Sequence, residues 1–81
     1  MSLHIKKIMD GMLIVTVLNY NFNEHTSLCF IKQMKKLMEK GYKDILVDLT
    51  NVTSIENPVV EKLHDISKIL KSRGGNLKIF G

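Results

Sequence analysis

Apolar positions along the chain follow two rhythms, and the change from one to the other marks the elements. Leu3 to Met9 reads as a strand, and Asp10-Gly11 is a strong hairpin signal leading into a second strand over Met12 to Leu18. The second strand, MLIVTVL, is almost wholly apolar, the pattern of a central strand covered on both faces. A polar and aromatic loop, NYNFNEHT, follows. Over Glu24 to Lys40 the spacing becomes helical, with Phe30, Ile31, Met34, Leu37 and Met38 on one stripe, Asn23 as the cap and Gly41 as the stop.

The period then shortens again. Lys43 to Thr50 carries Ile45-Leu46-Val47-Asp48-Leu49 and predicts a buried third strand. Pro58 to Arg73 predicts a second helix, with Val59, Leu63, Ile66 and Leu70 on its apolar stripe. Gly74-Gly75 ends it, and Asn76 to Phe80 supplies a fourth strand. The expected fold class is therefore α/β, a β-β-α-β-α-β chain with a mixed four-stranded sheet and two helices in one domain over residues 1–81. Each strand-helix-strand unit crosses over right-handed, so strands two, three and four are parallel if they share a sheet. The strand order, and hence the side on which each helix packs, stays open.

Composition narrows the function. Twelve Lys+Arg against eight Asp+Glu give a net charge of +4, and all but one of the basic residues are Lys. Bidentate readout of phosphate or bases by Arg is thus nearly absent, and the charge reads as a solvated surface in preference to a nucleic-acid site. Cys29 is the single cysteine and has no internal disulfide partner, which suits a reducing compartment. No apolar run is long enough to span a bilayer, and MSLHIKKIM lacks a secretory signal layout, so a cytoplasmic protein is expected.

Candidate chemistry is sparse. His4, His25 and His64 stand at no metal-ligand spacing and read as surface residues. Cys29 has no His or Asn arrangement to make it a nucleophile. Asp48 alternates with Val47 and Leu49 and reads as a half-buried structural carboxylate bonding nearby backbone. Neither catalysis, nor a cofactor, nor a metal is expected.

The remaining feature is SIENPVVEKL, from Ser54 to Leu63. Asn57 is a favoured N-cap residue, and Pro58 suits the first helical position, where a missing N–H is harmless. The segment reads as a strand-to-helix elbow whose first turn offers N–H groups and a partial positive charge.

This layout resembles the STAS domain, the module of bacterial anti-sigma factor antagonists, over nearly the whole chain. Two motifs carry the resemblance. In the first loop, where the family commonly has Gly, any residue, an aliphatic and Asp, then Thr or Asn and a small residue, this chain has Tyr20, Asn21, Phe22, Asn23, Thr26 and Ser27. The family's aliphatic-Asp-Leu-Ser segment is matched by Val47, Asp48, Leu49 and Thr50. The Asp-Ser-Ser-Gly-Leu elbow is degenerate, reading Glu56, Asn57, Pro58, Val59 and Val60. The family also usually continues with another helix after the fourth strand, so the resemblance implies a C-terminally shortened version.

The resemblance implies a non-enzymatic protein-binding module in transcriptional or stress regulation. Its partner would be an anti-sigma factor, a kinase-like protein or another STAS protein, with a homodimer as a further expectation. The first Ser of the family's elbow is the phosphate acceptor, and Asn57 in its place has no hydroxyl. The partner surface is expected to join Asn21, Asn23 and Thr26 of the loop to Ser54, Glu56, Asn57, Pro58 and Val60 of the elbow. An alternative function is nucleotide or small-anion sensing at the elbow's N–H groups.

Overall fold

A computed structural model of the chain describes residues 3–9 and 11–81. The elements are β1 (Leu3–Met9), β2 (Met12–Val17), β3 (Asn21–Phe22), α1 (Glu24–Glu39), β4 (Asp44–Asp48), β5 (Ser54–Ile55), α2 (Asn57–Ser72) and β6 (Asn76–Phe80). The main sheet has the order β1-β2-β4-β6, with β1 antiparallel to β2 and the other neighbours parallel. The expected mixed four-stranded sheet with two helices is thus present. Asp10 of the expected turn lies outside the described residues; Gly11 takes a φ of 77°, a left-handed conformation that suits glycine.

The order β2-β4-β6 explains where the helices sit. Both crossovers carry the chain across the sheet in the same direction, and two right-handed crossovers that advance in one direction leave their helices on one face. Register places Leu13 beside Ile45 and Leu77 on that face, with Val15 beside Val47. They form one core with Phe30, Met34 and Leu37 of α1 and Val59, Leu63, Ile66 and Leu70 of α2. The uniformly apolar look of β2 suggested cover on both faces, and this is corrected. Met12, Ile14 and Thr16 alternate with the buried Leu13, Val15 and Val17 and are only half-buried. The flanking strands shield their edges, and both described helices lie on the other face.

Both helices end in the same way. After α1, Gly41 N–H donates to Met38 O and Tyr42 N–H to Leu37 O; after α2, Gly74 N–H donates to Lys71 O and Gly75 N–H to Leu70 O. These are paired Schellman bonds, with Gly41 and Gly74 at φ 94° and 81°. Gly75 is required for a separate reason: a Cβ there would lie 2.2 Å from Lys43 O, the carbonyl that accepts Asn76 N–H and starts the β4–β6 ladder.

Candidate functional site

β2 and β4 are parallel neighbours, so the loop after β2 and the elbow after β4 leave the sheet at the same end. The structure joins them through two short strands that the loop-like sequence NYNFNEHT did not suggest. Asn21 pairs with Ser54 and Phe22 with Ile55. Around this rung Tyr20 O accepts Thr53 N–H at 2.8 Å and Ser54 N–H at 3.2 Å, and Phe22 O accepts Glu56 N–H at 3.1 Å. Phe22 anchors the junction from below, its ring buried against Phe30 of α1 at a centroid distance of 5.2 Å.

Each helix start has its own local cause. Asn23 caps α1 as expected: its side chain accepts Thr26 N–H at 2.9 Å, and Thr26 Oγ1 accepts Asn23 N–H at 3.0 Å, a reciprocal capping box. The expected cap of α2 is corrected. Glu56, extended at φ −83° and ψ 147°, is the N-cap, because its carbonyl accepts Val59 N–H and Val60 N–H; Asn57 is the first helical residue and Pro58 follows it in the first turn. The Asn57 side chain makes no hydrogen bond with the described residues, and it is exposed. The Glu56 carboxylate leaves its own helix and accepts Glu24 N–H at the start of α1, at 2.8 Å. That bond spans 32 positions in sequence, so no local pattern announces it.

All eight residues expected at the partner surface therefore belong to one end of the molecule. Asn21, Ser54, Glu56, Asn57, Pro58 and Val60 are exposed, while Asn23 and Thr26 are half-buried by their capping role. Of the apolar members of this end, sequence reasoning named Val60 and missed Tyr20 and Leu18 as part of the surface. Tyr20 is 73% exposed, Val60 48%, Leu18 46% and Ile55 38%. The available signal was apolar residues inside segments otherwise rich in turn formers. Among the hydroxyls near the elbow, Thr50 Oγ1 donates to Asp48 and Thr53 Oγ1 to Tyr20 O.

Asp48 is structural, as read from the sequence. The Thr50 hydroxyl and the Thr50 N–H, the latter at 2.9 Å, hold its carboxyl below the ordinary range; burial opposes them, and the Thr16 hydroxyl at 3.4 Å adds to the lowering. His4, His25, His64 and Cys29 are all exposed. Among the described residues, no group of three or more His, Cys, Asp or Glu side chains could hold a metal ion. A groove of about 420 Å³ between α1 and α2, lined by Ile31, Met38, Ile66 and Ile69 among others, includes none of the eight expected residues. No helix among the described residues is long and apolar enough to cross a membrane.

No protein-family model and no curated protein sequence matches the chain. Solved structures do match in backbone path. The anti-sigma factor antagonist SpoIIAA in its unphosphorylated form superposes with a TM-score of 0.80 at 8% identity, covering 96% of this chain and 71% of that one. The fold is STAS-like. The Bacillus cell fate determinant SpoIIAA in its phosphorylated form gives 0.77 at 8% identity, covering 94% and 68%. Mglu gives 0.80 at 8% identity, covering 96% of this chain and 19% of that one. The STAS-like architecture read from Val47-Asp48-Leu49-Thr50 and the two flanking loops is thus present.

Proposed function

We propose that this chain is a non-enzymatic protein-interaction module of the anti-sigma factor antagonist type, acting in the cytosol in transcriptional or stress regulation, without phosphorylation of its elbow. The observation that carries this reading is the joining of loop and elbow into one exposed end that displays Tyr20, Ile55 and Val60 among polar groups. Exposed aromatic and aliphatic side chains ringed by polar residues suit a protein partner. An anti-sigma factor, a kinase-like protein or another STAS protein fits that surface. A second copy is a further partner, because β6 is an edge strand whose Ile79 and Phe80 are exposed. At Asn57, where the family's acceptor hydroxyl would stand, an amide offers no hydroxyl for phosphate transfer.

Nucleotide or anion sensing draws less support. Among the first amides of α2, Val59 N–H and Val60 N–H already donate to Glu56 O, and Pro58 has no N–H to offer. Affinity capture from the native lysate with the wild-type chain and a Val60→Glu variant tests the proposal. A protein retained by the wild type and lost with the variant, at unchanged circular dichroism, is the expected result. Stoichiometric phosphate at any elbow residue in the intact mass of the cell-derived chain would contradict it. So would saturable heat on titration with a nucleotide.

A further inference from the structure

Glu56 makes more connections across the site than any neighbouring residue of the elbow. Its carbonyl accepts Val59 N–H at 3.0 Å and Val60 N–H at 3.3 Å, which begins α2. Its N–H donates to Phe22 O, and its carboxylate accepts Glu24 N–H. Two of its groups therefore hold the opposite segment, on either side of Asn23, whose own side chain is committed to Thr26. The β3–β5 pairing ends at Phe22 and Ile55, and the Glu56 side chain adds one more rung beyond it.

We infer that Glu56 is a positioning residue that clasps loop and elbow into a single preassembled surface, doing with a built-in carboxylate what would otherwise need an added ligand or partner. The inference rests on the partner-surface reading of this end. A carboxylate is favoured at this place because the start of α1 carries partial positive charge and the bond is charge-assisted. Length matters more than charge. In the resemblance to the STAS elbow Glu56 stands where Asp is usual, and Asp is shorter by one C–C bond, roughly 1.5 Å. From the same backbone position an Asp carboxylate is expected to fall short of Glu24 N–H, which Glu56 reaches at 2.8 Å. The clasp thus belongs to this chain's own residue choice, and it keeps the two segments in register in the absence of any partner.

Amide hydrogen exchange on the full chain, read residue by residue by NMR for the wild type and for Glu56→Gln, Glu56→Asp and Glu56→Ala, tests this. Glu56→Ala and Glu56→Asp are expected to speed exchange at Glu24, at Ser54 and at position 56 by about fivefold or more. Glu56→Gln, which keeps the reach and the acceptor oxygen, is expected to stay within about twofold of the wild type at those amides. Val15 and Val47 in the sheet are expected to remain unchanged in all three. Wild-type exchange in Glu56→Ala, failure of Gln to rescue, or equal acceleration at Val15 and Val47 would each overturn the clasp. The measurement needs no partner, so its outcome is separate from that of the capture experiment.

Discussion

Phe22 is the residue on which the geometry of the proposed surface depends most directly, and Phe22→Leu tests that dependence. The side chain is 1% exposed, belongs to a strand of only two residues, and meets Phe30 of α1 at 5.2 Å with the rings tilted by 52°. A tilted aromatic pair contributes about 0.5–1.5 kcal/mol beyond the area it buries. Leu also fills less volume than the buried ring, and the partial cavity it leaves costs about 1 kcal/mol in addition. The expected loss is therefore about 2 kcal/mol, against a total of about 4–12 kcal/mol for a chain of this length at 0.05–0.15 kcal/mol per residue. The variant should fold, with a Tm lowered by roughly 8–16 °C. Urea unfolding followed by far-ultraviolet circular dichroism measures the loss, and unchanged slopes would show that the unfolded state is unaffected. A cycle with Phe30→Leu and the double variant isolates the pair, with an expected coupling of about 0.5–1.5 kcal/mol. Strict additivity, within about 0.3 kcal/mol, would refute the view that the ring pair moors the loop to α1.

Two further outcomes follow from the same structure. Gly75→Ala places a Cβ 2.2 Å from Lys43 O, against backbone that cannot yield without disturbing the β4–β6 ladder, and is expected to destabilise by about 2–3 kcal/mol in urea unfolding; a loss below about 0.5 kcal/mol would show that the approach is looser than this. Asp48 is held below the ordinary carboxylate range by Thr50 first of all, so its contribution is complete above its unfolded value, near pH 4, and is lost as pH falls through the lower folded value. Asp48→Asn should accordingly flatten the acid limb of stability below about pH 4, measured as the urea midpoint against pH, and an unchanged limb would remove Asp48 from that account.

Local chemistry along the chain determined the elements of the main fold. The end of β1 and the start of β6 follow from the turn formers beside them, Asp10-Gly11 and Gly74-Gly75, and the start of α1 follows from Asn23 with Thr26, because a cap is made among residues three apart. Asp48 was legible for the same reason, since its main partner, Thr50, is two residues away. The cap of α2 was not, because Asn57 and Glu56 both suit a helix start and only the carbonyl bonding of Glu56 chooses between them. The clasp from Glu56 to Glu24, the pairing of Asn21 with Ser54, and the exposure of Tyr20 and Val60 at one end all depend on β2 and β4 being parallel neighbours. Strand order decided that, and it also decided that both helices cover one face. Sequence by itself determined the four strands of the main sheet and the two helices, since propensity, periodicity and capping act over a few residues. Only the tertiary structure decided which segments meet, because register and crossover direction are settled by packing between residues far apart in the chain.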